Sequence, residues 1–415
     1  MQAKKPEHAP QTQFASLDNC LLVGGIPLTR LVHRAGGTPL YVYDKTLLTA
    51  RMQLLKSLVP VDLRINYSLK ANPMPALVGH MAAQVDGFDV ASSAEMQTAL
   101  ATVIQPEYIS FSGPGKSDAE LLQAIAAGVM VHVESLNELR RLDRIAGEHG
   151  YPTEVMLRIN PDFDLKSSGL RMAGGPKQFG IDVEQIPRIL EELDGMYVEC
   201  VGFHFYTGSQ NLNAKAINDM FTKTCELAIS LANLPIGSKR QWVRRINLGG
   251  GFGIPYFPGD VALDINVVAA HLQDAVVRLK TVIPDVVVEI ELGRYLVGEA
   301  GIYVTKVIDK KISRGQTFLV TDGGMNHHLA ASGNLGQVIR KNYPVLVGNK
   351  INKDADQLAT VVGPLCSPLD LLADNMFLAH AEVGDLIVVF QSGAYGASAS
   401  PMNFLSRSPV AEVLI

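Results

Sequence analysis

Short β-branched runs alternate with longer stretches of helical spacing along the first two thirds of the chain. The runs are DLRINYSL (62–69), GFDVA (87–91), YISFSG (108–113), MVHVE (130–134), EVMLRIN (154–160), CVGFHF (200–205), RRINLG (244–249) and VVVEIE (286–291). Each is short, apolar and bounded by turn residues, which predicts buried strands. The stretches between them carry helix starts. Ser117-Asp-Ala-Glu120 and Ser135-Leu-Asn-Glu138 both have the capping-box spacing, in which a hydroxyl accepts from a backbone N–H and a carboxylate reaches back. Eight strands with intervening helices predict a (β/α)8 barrel over residues 44–291. A doubly wound open sheet is the alternative that the same pattern allows.

After residue 292 the helical spacing stops. IYVTKVI, TFLVTD, LATVVG and DLIVVF, punctuated by Gly and Asp, predict a separate β domain, sandwich- or barrel-like, over 292–415. LVHRAGGTPLYVY (31–43) is also strand-like and precedes the first barrel helix, so residues 20–43 are expected to complete that domain.

Composition narrows the class. The 415 residues are 47% hydrophobic and 19% charged, enough for a large core. A formal charge of −5 and no long run of like charge offer no field for nucleic acid. Cys20, Cys200, Cys225 and Cys366 are scattered, with no CxxC pair and no metal spacing, which fits a reducing compartment and predicts no metal site. The first 19 residues are polar, and no apolar run approaches the roughly 18 residues that a membrane span requires. The expectation is a cytoplasmic protein with neither membrane nor nucleic-acid partners.

In such barrels chemistry sits at the C-terminal ends of the strands. There the sequence places Lys70 after the first strand, Asp89 late in the second and His204 near the end of the sixth. Gly249-Gly-Gly-Phe-Gly253 follows the seventh, and Glu291 with Arg294 closes the eighth. An amine, an imidazole, a glycine cradle, a carboxylate and a guanidinium on one face suit a phosphorylated aldehyde cofactor. Singly, each has a plainer reading: a solvated lysine, a core histidine, a tight turn, a Glu291–Arg294 ion pair and, in Cys366, a small buried hydrophobe.

The chain resembles the fold-type III pyridoxal-phosphate decarboxylases, the group that contains diaminopimelate and ornithine decarboxylases, from about residue 25 onward. The resemblance is carried by YSLKAN, GFDVASSAE, FSGPGKSDAEL, RINPDFD with KQFGID, HFYTGSQ, NLGGGFG, ELGR, GPLCSPLD and GAYGAS, all in the family's order. It implies a barrel plus a β domain, pyridoxal 5'-phosphate, and release of CO2 from Cα of a small-molecule amino acid. Lys70 would carry the cofactor as an aldimine, and Asp89 would lie near that lysine. Glu291 would face the pyridine nitrogen, and His204 would stack on the ring. Ser209, Gly250, Gly251, Arg294 and Tyr395 would contact the phosphate, with Arg294 and Tyr395 also near the substrate. Cys366 would act from the partner subunit of a homodimer with shared active sites, returning a proton to Cα. Asp370 would lie toward the substrate's distal end.

Some positions depart from the diaminopimelate pattern. Ser367 follows the cysteine where those enzymes have a glutamate that holds the distal end. Arg340-Lys-Asn-Tyr343-Pro344 resembles their Arg-Pro motif with altered spacing, so Arg340 and Tyr343 are candidates to meet a substrate carboxylate. Leu292 stands where proline is more usual. LKSSGLRMAGGPKQFGID (165–182), with GPLCSPLD, is closer to members that act on aminoacyl groups tethered to a carrier protein. MNHHLAASGN (325–334), with His327 and His328, would then line an open mouth, or else be an ordinary loop of the β domain. The other readings are an ornithine- or lysine-type substrate, an amino-acid racemase, a non-catalytic homologue and a Schiff-base aldolase. Lys70, Glu291 and Cys366, all present, speak against a non-catalytic chain.

Overall fold

The computed structural model describes residues 6–163 and 170–415, so part of the 165–182 segment lies outside the described residues. The chain divides into two compact units, one of residues 51–253 and 263–293, the other of residues 1–50, 254–262 and 294–415.

In the first unit all eight apolar runs are strands: β1 Leu63–Ser68, β2 Gly87–Val90, β3 Ile109–Phe111, β4 Met130–Val133, β5 Glu154–Asn160, β6 Glu199–Phe205, β7 Arg245–Gly250 and β8 Val287–Leu292. They pair in parallel, and β8 against β1 together with β4 against β5 closes the barrel, which excludes the open sheet. The strands are buried on both faces, and so they read as near-continuous apolar runs. Ser117 and Glu120 form the full capping box at the helix Asp118–Ala127, which Gly128 ends in the left-handed region. Ser135 caps the helix Leu136–His149, but the Glu138 carboxylate turns instead to buried Lys116, 2.6 Å away.

The second unit is mostly sheet: β9 Gly301–Ser313, β10 Gln316–Thr321, β11 Val345–Val347, β12 Gln357–Val362, β13 Leu371–Leu378, β14 Leu386–Val389 and β15 Ala411–Leu414, in the order β11-β14-β9-β10-β12-β13. The N-terminal strand Leu40–Tyr43 lies antiparallel to β9 and parallel to β15, so the beginning of the chain does complete this sheet. Only part of segment 31–43 is strand. Leu28–Arg34 is a helix, because Leu28, Leu31 and Val32 fall on one face and are buried together. No helix among the described residues is long and apolar enough to cross a membrane.

Candidate active site

Ser68, the last residue of β1, pairs with Asp89 of β2, and one 3-10 turn, Leu69–Ala71, then presents Lys70. Asn72 closes the turn: its side-chain oxygen accepts from the Met74 N–H at 3.1 Å, and its carbonyl accepts from the Tyr67 hydroxyl at 2.8 Å. Lys70 Nζ lies 3.8 Å from Asp89 Oδ2 and 5.3 Å from the centre of the Tyr206 ring. The lysine side chain is 35% exposed and that of Asp89 only 1%, so the amine joins an accessible edge to a buried carboxylate. Burial and the charge of Glu291 push the Asp89 carboxyl up from its ordinary value, against the pull of Lys70 and His204.

His204 and Glu291 meet at 3.2 Å, both buried. Burial would raise Glu291, but His204, with Lys70 and His132 beyond it, holds it well below the usual carboxylate range. That direction favours the ionised carboxylate, the state needed to accept a hydrogen bond from a protonated ring nitrogen. Asn247 donates to Glu291 Oε2 at 3.2 Å and accepts from the Gly249 N–H at 2.8 Å, tying the carboxylate to the glycine loop.

That loop follows β7 with Gly249 and Gly251 in the left-handed region, at φ +73° and +83°. A Cβ on Gly250 would lie 2.2 Å from the Glu291 carbonyl, and one on Gly251 would lie 2.2 Å from the Gly208 carbonyl, beside Ser209. The Asn211 N–H donates to Gly251 O at 3.0 Å, and the Gly253 N–H to Asn211 O at 2.9 Å. Bare backbone thus runs against bare backbone, the form that lets peptide N–H groups approach an anion.

These residues fit pyridoxal phosphate. Asp89 Oδ2 and His204 Nε2 are buried polar atoms with no hydrogen-bond partner among the described residues, in the same cluster as Lys70 and Glu291. Lys70 would hold the aldehyde carbon, and the Ser209 and glycine-loop backbone the phosphate.

In the second unit Arg294 is sandwiched between Tyr256 and Tyr395, 5.2 and 4.6 Å from their ring centres, and donates to the Tyr256 hydroxyl at 2.7 Å. Its Nε is buried without a partner among the described residues. Tyr343 is buried, its ring 4.6 Å from that of Tyr256 and 5.6 Å from that of His328. Arg340 donates to the carbonyls of Ser332 and Leu371 and to the Asn342 side chain, at 3.1, 3.2 and 2.7 Å. Asp370 is buried and takes the N–H groups of Met325 and Leu365 at 2.6 and 2.8 Å. It therefore ties down the loop that carries Cys366. His327 and His328 are buried too: His328 bonds Ser392 Oγ and the Ala331 N–H, and His327 lies 2.9 Å from the Ser408 carbonyl, which favours the ordinary-loop reading of 325–334. Cys366 is exposed, unlike the small core hydrophobe that its composition also allowed. Among the described residues no group of three or more His, Cys, Asp or Glu could hold a metal ion.

Asn247, Ser112 and His132 also belong to this cluster but are not among the residues the motifs single out; the only signal for them in the sequence is a polar residue inside an apolar barrel strand or at its C-terminal end.

Residues 45–298 match the family described as pyridoxal-dependent decarboxylase, pyridoxal binding domain. The L-glutamyl-[BtrI acyl-carrier protein] decarboxylase of Niallia circulans is 36% identical over 385 residues, 91% of this chain and 88% of that one. The diaminopimelate decarboxylase of Archaeoglobus fulgidus is 32% identical over 411 residues, 97% of this chain and 93% of that one. The crystal structure of the Helicobacter pylori diaminopimelate decarboxylase complexed with L-lysine superposes with a TM-score of 0.82 at 27% identity, covering 93% of this chain and 94% of that one. The chain therefore belongs to the pyridoxal-dependent decarboxylases, carboxy-lyases of amino acids that use pyridoxal 5'-phosphate.

Proposed function

We propose that the substrate is an aminoacyl group whose distal carboxyl is already linked, as thioester or amide, to a carrier. The observation that carries this reading is that the residues offered by the sequence for a charged distal end are engaged inside the fold. Asp370 holds two backbone N–H groups, Arg340 holds two backbone carbonyls, and Ser367 stands where a glutamate would. Asp370, buried, and Arg340, half-buried, are not spared for a second ion without loss of their present bonds. The similarity to the carrier-protein glutamyl decarboxylase supports the same reading. A second reading is free diaminopimelate, supported by the similarity to the Archaeoglobus fulgidus enzyme.

The bound cofactor supplies an electron sink for the charge left on Cα as CO2 departs. Around it the chain's own groups divide the work. Lys70 anchors the aldehyde end, with Asp89 as its counter-charge. Glu291 would accept a hydrogen bond from the protonated ring nitrogen, and His204 would offer a flat face to the ring. Ser209 and the backbone of Gly250 and Gly251 would hold the phosphate. Cys366 returns a proton from Sγ to Cα, acting from the partner subunit of a homodimer. In support of the dimer, Leu335, Val338, Ile339, Leu369, Phe404 and Leu405 are all exposed. Asn334 bonds the Leu369 carbonyl and Arg407 the Pro364 carbonyl, so the segments that carry these residues lie beside the Cys366 loop.

The test is mass-spectrometric product detection with the cofactor-loaded enzyme. The pantetheine thioester of L-glutamate through its γ-carboxyl, free L-glutamate and meso-diaminopimelate are offered in parallel. Loss of CO2 from the thioester alone is expected; lysine from diaminopimelate with the thioester untouched would move the assignment to the second reading.

A further inference from the structure

His132, on β4, has its ring 4.6 Å from that of His204, and the two Nδ1 atoms face each other at 2.9 Å. Two nitrogens at that distance share one proton, so one donates and the other accepts. His132 Nδ1 also lies 3.1 Å from Ser112 Oγ, while His132 Nε2 is buried with no partner among the described residues. A proton on His132 Nε2 would be an unsatisfied buried donor, whereas a proton on Nδ1 has two acceptors within reach; His204 Nε2, also without a hydrogen bond of good geometry, at least faces the Glu291 carboxylate at 3.2 Å. Ser112 donates its one proton to Asp89 Oδ1 at 2.7 Å, which leaves its lone pairs free to receive the His132 N–H. His132 is thereby neutral with its hydrogen on Nδ1. His204 Nδ1 must then accept, which leaves the His204 hydrogen on Nε2, 3.2 Å from Glu291 Oε1.

We propose that His132 is a positioning residue that sets the tautomer of His204, so that the imidazole presents N–H and not a lone pair to Glu291. The ring is then clamped at both ends, by His132 at Nδ1 and by the Glu291 charge at Nε2. The same run of contacts, from Lys70 through Asp89, Ser112, His132 and His204 to Glu291, links the anchoring amine to the carboxylate assigned to the ring nitrogen. In its consequence for catalysis the proposal rests on the role given above to His204. The tautomer itself does not.

The experiment reads histidine ¹⁵N shifts in cofactor-free and cofactor-loaded protein, assigned with His132 and His204 variants. Wild type is expected to show His204 with a pyrrole-like Nε2 and a pyridine-like Nδ1, and His132 with the reverse. His132→Asn keeps an N–H near the Nδ1 position and should preserve the His204 signature. His132→Gln places its amide nearer the Nε2 position, and His132→Leu has none, so both should let His204 populate the Nδ1–H form. In turnover, Asn should stay near wild type. Gln should lose about tenfold to a hundredfold in kcat with little change in KM, by analogy with the loss when the orienting partner of a metal-ligating histidine is removed. A wild-type His204 already protonated at Nδ1, or an unchanged signature in His132→Gln, overturns the proposal even where His132→Leu fails to fold. Because the shifts are read without substrate, an error in the substrate assignment leaves this result untouched.

Discussion

Replacing Gly251 by alanine probes the glycine cradle with a single methyl group. At φ +83° an L-residue costs roughly 1–2 kcal/mol. The new Cβ would also lie 2.2 Å from the Gly208 carbonyl oxygen, where contacts under 3.0 Å essentially never occur. Relief needs a separation of at least 3.0 − 2.2 = 0.8 Å between the loop and the Gly208–Ser209 strand. That displaces the backbone proposed to bond the phosphate, and one charge-assisted hydrogen bond is worth about 1.5–3 kcal/mol. Affinity for pyridoxal phosphate should therefore drop about tenfold to a hundredfold. Gly315→Ala is the control: its φ is +85°, but no atom lies within 4 Å of the added Cβ, so it carries the strain without the contact. The assay is fluorescence titration of cofactor-free protein with pyridoxal phosphate. Wild-type affinity in Gly251→Ala, or an equal loss in Gly315→Ala, would refute the reasoning.

Lys70→Ala should abolish the stable cofactor absorbance and activity together; a coloured, active variant would remove Lys70 from its role. Cys366→Ala should keep the colour while slowing turnover, and mixing it with Lys70→Ala chains should restore part of the activity if each site draws on two subunits. No recovery would count against the shared site. His328 is held down to about 3 from an ordinary 6.5 by burial, and the Ala331 N–H already points at its Nδ1. The unfolded chain takes up a proton below 6.5 that the folded one refuses, so stability is flat above that pH and falls toward 3. The slope is about 1.4 kcal/mol per pH unit for this one group. His328→Gln should remove that increment from the acid limb of a urea-unfolding series, and an unchanged slope would show that His328 does not titrate in this way.

The barrel was legible because its strands are buried on both faces and written in uninterrupted apolar residues, while the helices between them announce their starts. Less legible were β13, which is interrupted by Asp374 and Asn375 with Asn375 at φ +46°, and the three-residue β11, too short to show a period. Lys70, Asp89, His204 and Glu291 could be gathered from the sequence because a parallel barrel delivers its strand ends to one rim. Asp370 and Arg340 could not be placed from sequence, because a charged side chain reads the same whether it meets a ligand or a backbone amide.

What the sequence by itself determined was periodicity and order: eight strands, their helices, a sheet after them, and a set of reactive groups at known strand ends. The tertiary structure alone decided which atom each polar group faces. Ser117-Asp-Ala-Glu120 and Ser135-Leu-Asn-Glu138 have the same spacing, yet Glu120 closes its box and Glu138 neutralises Lys116. His132 and His204 lie 72 residues apart and meet at 2.9 Å. Local spacing sets backbone geometry through bonds only a few residues long. The partner of a buried charge or a tautomeric nitrogen is chosen by which strand closure brings alongside it, and that depends on the whole chain.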